Sequence, residues 1–491
     1  MKPNWKITLS ILFIFTLQMA CAALQGRPPE PQTVKSTPLT GVSKQIASPV
    51  PADNQPTKAS LQEPAGEPAS PSEQTKPPVL ATLIPSRTPT PEAEPLLVVS
   101  SWFSEDDTSS SNMVYYGVIV ENPNPDLAIK QTSLQAVAYD TEGTILATQD
   151  IDVFIIFPGE RLGIAGMSPL MIPENMKVDR IDFQVRSKGE AVNYELPGSP
   201  FFSEKEAFIN SEYSPNATGV INNTIDGDIS YLYVSAFAYD ENGNIVGAGL
   251  NSYIPYLPSH GKIPVAVQMH IAGEVRKIVF FPMLTASSEV LDPDKRPLPQ
   301  VLSSGGNINQ YGSGSYAFVI ENPADAPVYQ NLSYLAAYYD SGGTILGTSA
   351  GQIPVIFPGE KLGVSNYLSL PEDADLSSVE VQVFPAPYEY DSLSISESNL
   401  TANPLTAEQV AFLPGNWEAK VTGIVVNTFS KDVQAMVTVV AYDENGAIIG
   451  GNFNYISLIP AGGQTAVEVS LYLESDPAKV ELYPSMSSIS N

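Results

Sequence analysis

One five-residue segment recurs four times and decides what this chain can become. It reads YDTEG at residues 139–143, YDENG at 239–243, YDSGG at 339–343 and YDENG at 442–446. The tyrosines Tyr139, Tyr239, Tyr339 and Tyr442 are thus spaced by 100, 100 and 103 residues. Each copy follows an apolar run (LQAVA, VSAFA, LAAY, VTVVA) and precedes another (TILAT, NIVGA, TILGT, AIIGG). The pattern predicts a β-hairpin. Asp140, Asp240, Asp340 and Asp443 open a type I turn, and Gly143, Gly243, Gly343 and Gly446 supply the positive φ that closes it. A period near one hundred suits one sandwich domain of roughly 100 residues and is too long for a solenoid unit of about 20–50.

The four units are not equivalent. The first and third share VENP (120–123) with IENP (320–323), and IFPGERLG (156–163) with IFPGEKLG (356–363). The second and fourth share KEAF (205–208) with EQVAF (408–412), and TGVINN (218–223) with TGIVVN (422–427). The order is A-B-A′-B′, as if one domain had duplicated and then the pair. Short β-branched and aromatic runs bounded by Gly, Pro, Asn or Asp fill each unit, and no stretch carries a sustained 3.6-residue apolar period. The expected fold class is all-β, with four tandem antiparallel β-sandwiches at 96–200, 201–288, 300–390 and 404–486.

A strand ending in Tyr-Asp, a Gly-containing turn, a second strand and then a Pro-Gly turn resembles the FxLYD-type domains of bacterial extracytoplasmic proteins. It is also similar to the wider Ig-like sandwiches of fibronectin-III and late-embryogenesis-type-2 character. The Tyr-Asp pair is kept in all four units. The family's Phe and Leu positions hold Ala136 and Ala138, Ala236 and Ala238, Ala336 and Tyr338, and Val439 and Ala441. The resemblance implies an exported, often lipid-anchored module with no known chemistry and no catalytic residues.

The N-terminus carries an address. Lys2 and Lys6 precede an apolar stretch of eleven residues, 7–17, too short for a spanning helix of about 20. Gln18-Met19-Ala20-Cys21 follows, so residues 1–21 resemble a lipoprotein signal in which Cys21 becomes acylated. Gln18 departs from that pattern, and cleavage after Ala22 or Ala23 is the alternative. Cys21 is the one cysteine of the chain, which excludes a disulfide framework. Residues 22–95 read as a disordered linker: 16 of the 71 residues from 25 to 95 are proline and none is aromatic, so no core can form. Extended, that stretch reaches roughly 220 Å, and as a coil about 45 Å.

Charge narrows the partners. The net charge is -29, and residues 96–491 hold 46 acidic against 16 basic groups. That surface repels phosphate backbones and anionic head groups, so no nucleic-acid partner is expected. The expected membrane contact is through the lipid anchor alone.

No chemical motif emerges. His260 and His270 are the two histidines, and no GxSxG elbow precedes a helix. Acidic clusters at Glu105-Asp106-Asp107, Asp226-Gly227-Asp228, Asp292-Pro293-Asp294 and Glu372-Asp373-Ala374-Asp375 are the candidates for calcium, which needs roughly 6–8 oxygens at one point. None has EF-hand spacing, and solvated loops are the simpler reading. Trp102, Trp417, Tyr115, Tyr116, Tyr311 and Tyr316 are candidates for a sugar- or peptide-binding face, against the ordinary role of strand aromatics in cores. The sequons at Asn216, Asn222, Asn331 and Asn399 read as chance matches beside a bacterial-type signal. The expectation is a non-enzymatic surface-displayed lipoprotein, on the outer face of a bacterial membrane, without cofactor or metal, acting as a spacer or protein-interaction module. A secreted location, an adhesin or carbohydrate-binding protein stiffened by calcium, and a hydrolase with paired carboxylates are the alternatives.

Overall fold

The computed structural model describes residues 93–491 except 107–111, 167, 195–197, 212–213, 251–252, 293–295, 387–392, 394, 416–417 and 490–491. Cys21, the expected signal and most of the expected linker lie outside the described residues. The fold is all-β, built of Ig-like antiparallel sandwiches in tandem; among the described residues the one helix is a four-residue turn, Ile395–Ser398.

The same two small sheets recur along the chain. In one, a central strand pairs with the strand before it and with the strand that follows the turn at Pro158, Pro258, Pro358 or Pro460. These central strands are Met113–Glu121, Asn216–Asn223, Ser313–Glu321 and Ala419–Asn427. In the other, the central strand ends in the repeated tyrosine: Leu127–Tyr139, Asp228–Tyr239, Tyr329–Tyr339 and Val433–Tyr442. It pairs with the hairpin strand after the Asp-Gly turn and, on its other side, with Arg180–Ser187, Lys277–Met283, Ser378–Phe384 or Lys479–Ile489. Between the two sheets of each unit lie side chains that alternate inward, such as Val118, Val120, Leu134 and Ile164 in the first and Val421, Val425, Val437 and Val469 in the fourth.

The hairpin turn is built the same way each time. In the first, the Gly143 amide donates to the Asp140 carbonyl (3.1 Å), Asp140 Oδ1 accepts the amides of Glu142 and Thr144 (2.9 and 2.7 Å), and Gly143 has φ 80°. Backbone amides, chiefly those of Thr144, Thr344 and Ala447, hold the carboxyls of Asp140, Asp340 and Asp443 below the usual range. Asp240 is lowered first by the Asn244 side chain. The glycines follow from their left-handed φ, where any Cβ is strained.

A second constellation recurs at the opposite end of each sandwich. Asn122, Asn223, Asn322 and Asn427 stand at the end of the first sheet's central strand, and all are buried. The Asn122 amide Nδ2 donates to the carbonyls of Leu127 (2.7 Å), Ile156 (3.2 Å) and Phe157 (3.0 Å). Asn427 does the same for Lys431, Ile459 and Pro460 at 2.9, 3.2 and 3.1 Å. Each asparagine ties three things together: its own strand, the loop that follows it and the end of the hairpin strand in the other sheet. The Pro-Gly turn closes the same corner, because the amides of Asn122 and Asn322 donate to the carbonyls of Glu160 and Glu360 (2.9 Å each). In the second sandwich His260, with φ 50°, takes the left-handed place that Gly159, Gly359 and Gly462 fill in the others.

Successive sandwiches pack closely against one another. Between the first and second, Trp102, Ile119 and Ala165 meet Phe237 and Ala248. A Cβ on Gly163 would lie 2.4 Å from Phe281 and 2.7 Å from Phe237, and one on Gly117 2.8 Å from Phe237. The third and fourth repeat the arrangement with Ala317 and Val319 against Val440, Tyr442 and Ile448, and a Cβ on Gly363 would lie 2.4 Å from Tyr483. The Gly of the shared IFPGE-Arg/Lys-LG segment is therefore a seat for the neighbouring sandwich's ring. The second and third sandwiches join differently, through Leu335 and Phe384 on the core of the second, with Phe384 stacked on Tyr256 at 5.4 Å.

The glutamate of the same segment closes the corner from within. Glu160 Oε2 accepts the Phe157 amide (2.7 Å), as Glu360 Oε2 does from Phe357 (2.7 Å). Glu360 Oε1 also accepts the Asn403 amide at 2.6 Å, just ahead of the fourth sandwich. Burial, partly offset by the Phe157 amide and the Ser199 hydroxyl, raises the Glu160 carboxyl to about 7; Glu360 is raised for the same first reason. A carboxyl whose folded value exceeds its unfolded one binds its proton more tightly when folded, so stability falls as pH rises from about 4.5 through about 7. Glu160→Gln keeps an acceptor for Phe157 without the charge. It is expected to raise the melting temperature at pH 8 and leave it nearly unchanged at pH 5. Melting curves that track the parent at both pH values would show that the carboxylate is fully solvated.

Candidate binding groove

Most of the chemistry-bearing groups serve the fold. Asp228 is buried, accepts the Tyr256 hydroxyl and accepts the Ser259 amide at 2.7 Å. Its neighbour Asp226 meets His260 Nε2 at 2.6 Å on the surface. His270 lies flat on Tyr115, with ring centroids 3.3 Å apart, where the first and second sandwiches meet. Glu105 accepts the Val178 amide (2.6 Å) and Asp375 the Ser341 hydroxyl (2.8 Å). Among the described residues no three His, Cys, Asp or Glu side chains converge on a point that could hold a metal. Asp107, Asp294 and Trp417 lie outside them.

The four tyrosines of the hairpin motif divide by sandwich. Tyr139 carries the Arg180 guanidinium over its ring at 4.4 Å. Tyr239 and Tyr442 lie on the sheet faces that meet the preceding sandwich, and the Tyr442 hydroxyl donates to Glu481 (2.8 Å). Tyr339 is half-buried, and burial raises its hydroxyl to about 12.

The aromatic residues singled out for a binding face are mostly interior. Trp102, Tyr116 and Tyr316 are buried and Tyr115 is half-buried; Tyr311 is exposed. A different set forms an exposed aromatic groove. Tyr367 comes from the strand Lys361–Ser369 of the third sandwich. Phe453 and Tyr455 come from Ile448–Ile459, and Tyr472 follows Gln464–Leu471, in the fourth. Tyr367, Tyr455 and Tyr472 are 49, 58 and 51 % exposed. The groove has a volume of about 550 Å³ and is also lined by Asn452, Asn454 and Ser470.

Local sequence explains the geometry. In the run Asn452-Phe453-Asn454-Tyr455 the asparagines reach across to the opposite sheet edge while the rings alternate with them. Asn452 Nδ2 donates to the Ser470 carbonyl and Asn454 Nδ2 to that of Glu468, both at 2.8 Å. Their Oδ1 atoms accept the amides of Phe453 (2.9 Å) and Tyr455 (2.8 Å). Phe453 and Tyr455 meet edge to face at 5.6 Å. Asn307 of the third sandwich donates to the Tyr472 carbonyl at 3.1 Å, fixing the far wall. Burial raises the Tyr455 and Tyr472 hydroxyls, so both stay protonated donors at neutral pH. The nearby carboxylates are engaged: Glu468 with Lys420 at 2.6 Å, and Glu418 with the Ser470 hydroxyl.

This set escapes sequence reading because it joins two sandwiches across about ninety residues of chain. The local trace it leaves is the N-F-N-Y alternation on a strand whose other end is apolar.

No family model and no curated protein matches the chain. Solved structures similar to it include native alpha-2-macroglobulin of Escherichia coli, at 12 % identity and a TM-score of 0.11, over 78 % of this chain and 28 % of that one. The same protein activated by porcine elastase gives 11 % identity and a TM-score of 0.11, over 79 % and 44 %. The chain spans less than half the length of either.

Proposed function

We propose that the chain is a non-enzymatic, envelope-tethered interaction module, anchored by a lipid on Cys21 and carried on its Pro-rich linker, that binds a ligand in the aromatic groove where its last two sandwiches meet. The observation that carries this reading is the groove itself, where three half-exposed tyrosines stand beside asparagine side chains that are bonded to the backbone of the two neighbouring strands. Binding, and not turnover, is supported by the state of its acids. Glu468, paired with Lys420, is the one carboxylate among the described residues that line the groove, where glycoside hydrolysis needs two. Fixed rings beside hydrogen-bonding groups are the usual make-up of a recognition surface.

The anchor is tested in a bacterial host that processes lipoproteins. Cys21→Ala is expected to move the protein from the membrane fraction to the medium or the soluble envelope fraction. Retention of the variant on the membrane in full would end the lipid-anchor reading.

A further inference from the structure

We infer that the groove of Tyr367, Tyr455 and Tyr472 binds a neutral oligosaccharide. This rests on the reading of the chain as a binding module and names its ligand class. Three features of the groove select that class. The first is its edge chemistry. A peptide could enter by strand addition only if the bordering strands kept free amides and carbonyls. Here the Phe453 and Tyr455 amides are taken by Asn452 and Asn454, the Glu468 and Ser470 carbonyls by the same two side chains, and the Leu458 carbonyl by the Thr465 hydroxyl at 3.2 Å. At these positions an added strand finds the backbone groups already engaged, which favours recognition by side chains.

The second feature is the pairing of ring faces with polar groups. A pyranose offers an apolar C–H face and a rim of hydroxyls. Half-exposed tyrosine rings suit the face, and the tyrosine hydroxyls suit the rim. A lipid tail would need a closed apolar pocket, and this groove is open with a mostly polar lining. The third is charge. With 46 acidic against 16 basic groups over residues 96–491, anionic polymers are repelled, so a neutral sugar chain is selected. The volume of about 550 Å³ falls within the roughly 300–1,000 Å³ of small-ligand sites, enough for a short run of sugar units.

The test is calorimetric titration of the full mature chain with cellotetraose, mannotetraose and the N-acetylglucosamine tetramer. Saturable binding of at least one at millimolar concentration is expected. Tyr455→Ala and Tyr472→Ala should each weaken it tenfold or more with unchanged melting temperature, since both rings are half-exposed. Tyr455→Phe should weaken it only a few-fold, because the ring face remains. Tyr311→Ala removes an exposed ring away from the groove and should change nothing. Binding of none of the three sugars overturns the inference, as does binding that survives both alanine variants or a groove that takes up peptides in place of sugars. Any of these leaves the Cys21→Ala result standing, so failure of the ligand class and failure of the anchored-module reading are read separately.

Discussion

Asn427→Ala is expected to destabilise the fourth sandwich by about 3–5 kcal/mol, more than removal of any exposed side chain discussed above. Three carbonyls, those of Lys431, Ile459 and Pro460, lose the Nδ2 donor, and the Phe429 amide loses Oδ1 as its acceptor at 2.9 Å. Each buried polar group left unpaired costs about 1–3 kcal/mol. The sum is discounted because the Pro460 carbonyl keeps the Gly463 amide at 2.9 Å. Asn427→Asp should cost no less, because a carboxylate there would face carbonyl oxygens with nothing to donate. Asn322 offers an internal comparison. Among the described residues its Oδ1 finds no partner, and one of its Nδ2 contacts stretches to 3.5 Å, so Asn322→Ala should cost distinctly less. Chemical denaturation of the two variants, followed by hydrogen exchange at the strands Ala419–Asn427 and Ser313–Glu321, separates the effects. Equal losses would mean that the corner is held by packing and not by the amide.

The contrast between these residues and the hairpin turns shows what a sequence can display. The Asp140-to-Gly143 turn is legible because all its bonds are local: the aspartate caps amides two and four residues on, and glycine is the residue that accepts φ 80°. The corner asparagines are visible as shared letters in VENP, IENP, TGVINN and TGIVVN. Their partners lie up to 35 residues away, so the letters alone carry no chemistry. The aromatic groove is harder still. Tyr116 and Tyr316 occupy the same strand place in two sandwiches and both are buried, whereas Tyr367 and Tyr455, also on strands, are about half exposed. Period-two alternation says which residues share a face. It does not say whether that face meets water, a core or a neighbouring sandwich. One sign of the last case was present. VSAFA and VTVVA are apolar at every position or nearly so, the pattern of a strand covered on both faces.

That double covering sets the second large effect. Phe237→Ala is expected to cost about 3–5 kcal/mol, the usual range for removing a fully enclosed phenylalanine. Phe237 is 0 % exposed although it points away from its own core, because Trp102, Ile119 and Ala165 of the preceding sandwich close over it. It also meets Phe281 edge-on at 5.4 Å, an arrangement worth about 0.5–1.5 kcal/mol beyond burial. The loss should therefore fall on the junction and not on either sandwich. Small-angle scattering should show the first two sandwiches separating or rocking, while hydrogen exchange within Met113–Glu121 and Asn216–Asn223 stays protected. Gly163→Val should produce the same opening from the other side, since its Cβ would sit 2.4 Å from Phe281. Phe281→Ala should partly rescue Gly163→Val by vacating that space, a coupling that independent sites would not show. If Phe237→Ala instead unfolds the second sandwich while leaving the junction distance unchanged, the ring belongs energetically to one core, and the pairing of sandwiches through glycine seats and facing rings would lose its main support.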